Sequence, residues 1–162
     1  MAITIKKNGY GQVEPNHLSA QRTGQIYAQL PAAASIKVLE NGQFAKYDYA
    51  NGVVNPAATE GEFMLVLNEV KLYDERETYK DFAMKKENYV NGEMYPRLFK
   101  TNVGDIFTTN CFAEGTELSI GTKLTPGTDG YLAAGEGEMV WVVVKEYSMP
   151  DGQPAVKIQR VK

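Results

Sequence analysis

The residue types that most often carry chemistry are scarce in this chain, which holds one histidine and one cysteine. His17 follows Asn16 in a polar, loop-like segment. General acid–base or nucleophilic work needs a partner group within reach, and no motif nominates one. A surface or capping role suits it better. Cys111 lies in a predicted strand between Asn110 and Phe112, with nothing near it in sequence to favour a thiolate. It reads as a small buried apolar residue. Asp129, Glu136 and Glu138 sit among glycines, but their spacing matches no calcium loop, so turn chemistry is the expectation. The Gly9–Gly11 and Gly135–Gly137 pairs are too glycine-poor to cradle phosphate, and no Gly-Lys-Ser/Thr follows. No catalytic, cofactor-binding or metal-ligating residue is nominated. An enzyme, such as a small hydrolase domain, ranks last because no nucleophile–base pair is visible.

The rest of the chain must then be read for what it builds. Its 162 residues suit one domain, or a small domain with an appended arm. A single cysteine excludes an internal disulfide framework and a thiolate-rich metal site. The formal net charge of −3 counts against binding nucleic acid through phosphates. Residues 1–10 hold no apolar run of signal-peptide length, and no stretch approaches a membrane span. The expectation is a protein made in a cytoplasm and kept there, or assembled there into something larger.

Residues 1–31 are punctuated by Gly9, Gly11, Pro15, Gly24 and Pro31 and read as an N-terminal arm. Two accounts of it stay open: an extended arm that packs on a partner, or an edge strand plus loops of the same domain. Residues 32–162 read as one β-rich domain. Asn41-Gly42, between SIKVLE and QFAKYDY, gives the strongest hairpin signal. Asn51-Gly52 ends the next strand, whose Tyr47 and Tyr49 face is the better candidate for burial. Residues 63–67 are continuously apolar and predict a buried central strand. Residues 74–88 are the most charged stretch and suit a short surface helix or a long excursion from the sheet. A solvated face is the plainer account of it; a lateral contact with a neighbouring copy is the functional one. Asn91-Gly92 suggests another hairpin tip, with Tyr89 and Tyr95 stapling it. From residue 103 to 162, short apolar segments alternate closely with Gly, Pro, Asn and Asp turns. That pattern predicts a small, tightly turned β-barrel or sandwich.

The segments GQIYAQLP, ENGQFAKYDYANGVVN, VGDIFTTN, GTKLTPGTDGYL and PDGQPAVKIQRV together make the chain resemble the small head proteins of tailed bacteriophages. These are decoration, cement or auxiliary capsid proteins. The resemblance implies an all-β fold of β-barrel or β-tulip type and binding at capsomer junctions on the outside of the shell. It also implies the major capsid protein as partner, frequent self-association as trimers, and a place in the virion. The residues themselves give no reason to expect a cofactor or a membrane. Candidate contact residues are Tyr10, Arg22 and Tyr27 in the arm, with Arg76 and Lys80 in the charged stretch. Another virion component, such as a head-fibre base, a tail-tube or a head–tail connector protein, is the alternative. A further one is an OB-like module for single-stranded nucleic acid, which scattered tyrosines and lysines admit.

Overall fold

A computed structural model describes residues 2–17, 26–56, 62–68 and 83–162. The described residues form an all-β protein. The first strands are β1 (Ile3–Thr4), β2 (Val13–His17), β3 (Ile26–Tyr27), β4 (Val38–Glu40), β5 (Phe44–Asp48), β6 (Val53–Asn55), β7 (Met64–Val66) and β8 (Ala83–Lys85). There follow β9 (Leu98–Phe99), β10 (Ile106–Thr109), β11 (Glu117–Leu118), β12 (Lys123–Pro126), β13 (Leu132–Ala134), β14 (Trp141–Ser148) and β15 (Pro154–Arg160).

Two sheets carry the architecture. One has six strands in the order β13-β12-β14-β15-β10-β2, and the other five in the order β3-β9-β7-β5-β6. Strand alternation places every second side chain of the five-stranded sheet on the same face. Phe44, Leu65 and Phe99 point into a shared core with Phe107, Leu124, Leu132, Trp141, Val156 and Ile158 of the six-stranded sheet. Trp141 anchors that core, with its ring 5.0 Å from Phe107 and 5.7 Å from Phe44. On the opposite face, Ala45, Met64, Val66 and Leu98 pack with Leu39, Val54 and Met84. There the small β4–β8 sheet and residues 27–36 form a third layer. Burial on both faces explains the continuous apolar run at 63–67, which is a central strand as expected.

Residues 103–162 were expected to form a small β-barrel or sandwich, and the barrel does not form. Instead they supply five strands of the six-stranded sheet, whose ends are β13 and β2. No closed barrel exists among the described strands; the two sheets pack face to face as a sandwich. The N-terminal segment supplies the sixth strand, as Val13 pairs with Thr109 and Glu14 with Thr108. β1 pairs with β11 and β3 with β9. The described part of the arm is therefore extended along its own domain, the edge-strand account left open above. Its half-buried Ile3, Ile5, Val13 and Ile26 pack against the shared core, which is why it lies down.

Two turns were misassigned. The Asn41-Gly42 turn forms, with Gly42 at φ 101°, but β4 pairs with β8 while β5 pairs with β6 and β7. The turn is buried. Asn41 accepts the Asn68 N–H at 2.8 Å and donates to the Asn68 carbonyl at 3.1 Å, so the turn is spent on β7's flank instead of a hairpin. The true hairpin is at Asn51-Gly52, where Asp48 pairs with Val53. At Asn91-Gly92 a 3-10 turn stands where a hairpin tip was expected, with no ladder between its flanks.

Gly130 has φ +83°, and a Cβ there would meet the Phe44 carbonyl oxygen at 2.3 Å. Gly121 has a similar φ of +90° but open space around it. Both positions carry the backbone strain of a left-handed residue, about 1–2 kcal/mol. Only Gly130 adds a collision with backbone that joins the two sheets. In urea melts, Gly130→Ala is expected to lose at least about 2 kcal/mol more than Gly121→Ala. Equal losses would mean that the two sheets are not held at this distance.

Candidate functional site

Among the described residues, the most concentrated polar chemistry surrounds Glu40, the last residue of β4. Its side chain is 6% exposed. One carboxylate oxygen accepts the Gly11 N–H at 2.9 Å. The other accepts the Lys7 ammonium and the Tyr131 hydroxyl, each at 2.5 Å. The Lys7 ammonium also lies 4.6 Å from the centre of the Tyr131 ring. The Cys111 thiol approaches the same carboxylate at 3.9 Å. Glycines permit this crowding: a Cβ on Gly11 or Gly42 would fall within 2.7 Å of Cys111 atoms.

The rest of the N-terminal segment is held in the same way. The Asn8 N–H donates to the Gln153 side chain at 2.9 Å. The Gln12 N–H donates to Asn110 at 2.7 Å, and its carbonyl accepts from the Thr109 hydroxyl at 2.7 Å. Gln12 also donates to the Asp151 carboxylate at 2.8 Å, which helps hold that carboxyl below its ordinary pKa. Lys7 and Tyr131, the partners of Glu40, also line a cleft of about 700 Å³, with Ile5, Phe112, Glu114 and Asp129 among others. Both oxygens of Glu40 are engaged by donors. The arrangement acts as a clip that fixes the N-terminal segment to β4 and to Tyr131.

Two aromatic surfaces lie elsewhere. Residues 86–95 form a lobe of 3-10 turns between β8 and β9. Lys86 pins one end, donating from its backbone N–H to the Lys37 carbonyl and from its ammonium to the Ala34 carbonyl. Met94 pins the other: its side chain is buried and its carbonyl accepts the Ala32 N–H. Between the pins, Tyr89 and Val90 are 39% and 87% exposed, and Tyr95, directly after Met94, is 49% exposed. The second surface is a row of Tyr27, Tyr47 and Tyr49. Tyr47 is half-buried, but Tyr49 is 81% exposed, against the expectation that their face is buried. The strand ends at Asp48, so Tyr49 belongs to the loop and no longer follows the alternation.

Of the contact residues expected from sequence, Tyr10 lies with its ring 4.7 Å from the Lys85 ammonium, at the strand that leads into the lobe. Tyr27 belongs to the tyrosine row, so the structure does not bring these two together. Arg22, Arg76 and Lys80, with most of the charged stretch 74–88, lie outside the described residues. His17 ends β2, in register with Ile106. Cys111 is fully buried, and burial pushes its thiol pKa up. Asp129 accepts the Tyr131 N–H within a turn, and Glu136 pairs with Lys123 at 2.7 Å. Among the described residues no group of three or more His, Cys, Asp or Glu side chains is placed to hold a metal ion. Glu40, Lys7 and Tyr131 were not singled out from sequence. The available signal was an acidic residue closing an apolar strand directly before a buried Asn-Gly turn.

Comparison with protein-family models, curated proteins and solved structures gives no match for this chain.

Removing the Glu40 charge leaves Lys7 four-fifths buried without its counter-ion. Glu40→Gln is expected to destabilise by about 2–3 kcal/mol in urea melts. Glu136→Gln, which breaks an exposed pair, should leave the midpoint almost unchanged. Equal effects would contradict the clip.

Alkaline pH tests the same region. Burial, then the Glu40 contact, raises the Tyr131 pKa, and burial raises that of Cys111. Both groups keep their protons longer in the folded state. Their stabilisation is complete below the ordinary values, 9.0 for the thiol and 10.0 for the phenol, and is lost as pH rises beyond them. Cys111→Ala should therefore flatten the fall in stability above pH 9 by up to about 1.4 kcal/mol per pH unit. An unchanged slope would contradict the burial of the thiol.

Proposed function

We propose that the protein is a structural component of a phage virion that binds the outer surface of the capsid and strengthens contacts between capsomers. The observation that carries this reading is the lobe at 86–95. A chain that exposes Val90 and two tyrosines on and beside a segment pinned at both ends presents what an interface uses. Tyrosine is enriched at protein–protein interfaces, and rigid apolar contacts bind without a large ordering cost. Tyr10, a candidate contact residue from the sequence, stands beside Lys85 at the root of this lobe. A cement protein requires a stiff body and a contact face. It stabilises a shell by binding the assembled form in preference to the dissociated one. Other positions in the virion would use the same face. Copy number separates them, since hundreds per particle indicate decoration and about a dozen indicate a connector.

Truncating the N-terminal segment is a poor test, because it removes a strand of the six-stranded sheet. A point substitution is cleaner. Shells of the parent phage stripped of this protein would be incubated with the wild type or with Val90→Asp. The expected result is full occupancy by the wild type and at least about tenfold weaker binding by the variant, with an unchanged melting curve. That ratio corresponds to about 1.4 kcal/mol. Equal occupancy would remove the lobe from the contact, and absence of wild-type binding would reject the capsid reading.

A further inference from the structure

The tyrosine row has a chemistry distinct from the lobe and shares no residue with it. Tyr27 meets Tyr47 edge to face, with ring centres 5.9 Å apart and planes at 89°. Tyr47 meets Tyr49 in the same manner, at 5.7 Å and 88°. The middle ring is fixed because its hydroxyl accepts the Gln29 N–H at 3.1 Å. The loop that carries Tyr49 is fixed by Asp48, whose two oxygens accept the Asn51 N–H at 3.1 Å and the Asn51 side-chain amide at 2.8 Å. The scaffold thus holds an aromatic ring 81% exposed in a set position.

These rings border a cleft of about 290 Å³, completed by Lys46, Glu62, Met64 and Lys100. Lys100 pairs with Glu62 at 3.0 Å, and Arg160 lies 4.0 Å from the same carboxylate. Aromatic faces, ammonium donors and a carboxylate acceptor therefore converge on one small space.

We propose that this cleft binds a single neutral sugar ring of a glycan. A pyranose offers a face of C–H groups and a rim of hydroxyls that both donate and accept. Tyrosine rings supply an apolar surface for the face, and their hydroxyls a polar edge. Lysine ammoniums only donate and an ionised glutamate only accepts, so the lining satisfies both halves of a hydroxyl. Other ligand classes fit less well. A phosphate or carboxylate would have to compete with Glu62 for Lys100. A cationic side chain would meet Lys46 and Lys100. An apolar side chain would take water from the Lys100–Glu62 pair and from Lys46 and offer no hydrogen bond in return, which is costly. The volume is at the lower limit of small-molecule pockets, about 300 Å³, and suits one ring.

The full chain would be run through native gels containing soluble neutral polysaccharides: a β-glucan, a galactomannan and a xylan. N-acetylglucosamine, glucose and galactose would be titrated in parallel by NMR. The proposal expects retardation by at least one polymer and saturable shifts with millimolar affinity. Tyr49→Ala should weaken binding at least fivefold while melting and shell occupancy stay as in the wild type. Tyr49 is exposed enough that its removal leaves the core intact. Three results would overturn the proposal: no retardation and no shifts with any of these probes, a Tyr49→Ala variant that binds like the wild type, or Tyr49-dependent binding of a labelled oligodeoxynucleotide or an acidic peptide in place of sugar. None of them bears on capsid binding, which the Val90 variant reads separately.

Discussion

A carboxylate is costly to bury unless donors replace the water it gives up. Glu40 meets that condition with donors from parts of the chain far apart in sequence: Lys7 and Gly11 near the start, and Tyr131 beside β13. The dependence runs both ways. Without the N-terminal segment Glu40 would be an uncompensated interior charge, and without Glu40 that segment would lose the contact that turns it across the domain. Around this point Gly11, Gly42 and Cys111 are packed so closely that no side chain larger than hydrogen fits at the two glycines.

The five-stranded sheet depends on this arrangement for its cover. One face is closed by the six-stranded sheet, to which the N-terminal segment contributes β2. The other is closed by β4, β8 and residues 27–36. Glu40 lies on β4, so the clip ties the third layer to the first. The result is a stiff body whose exposed aromatics, among the described residues, are confined to two places fixed by hydrogen bonds, the 86–95 lobe and the Tyr27–Tyr47–Tyr49 row. Stiffness at those places keeps the exposed aromatic residues from collapsing onto the surface.

Much of the fold was legible in the chain. Alternation, β-branched residues and close glycine and proline spacing marked the strands, and the run at 63–67 marked a strand buried on both faces. What could not be read was pairing. Asn41-Gly42 carries a hairpin's dihedral requirement, but those dihedrals also serve a buried turn, and the choice depends on Asn68, distant in sequence. Barrel and sandwich share the same local grammar and differ only in whether end strands meet. The candidate sites were harder still. Glu40 looks like any surface acid at a strand end until Lys7 and Tyr131 arrive from either end of the chain. Tyr49 follows the alternation of Tyr47 in sequence and departs from it where β5 stops at Asp48. Tyr10 and Tyr27 belong to one sequence segment, yet β2 and β3 join different sheets and take them to different surroundings.

The central claim is that the N-terminal segment is part of the domain and not a free arm. Native-state hydrogen exchange on the isolated protein tests it directly. The amides of Gly11 and Gln12, bonded to Glu40 and Asn110, should be protected to nearly the same degree as those of β10 and β15. Exchange of these two amides at the rate of an unstructured peptide, while β10 and β15 stay protected, would contradict the account.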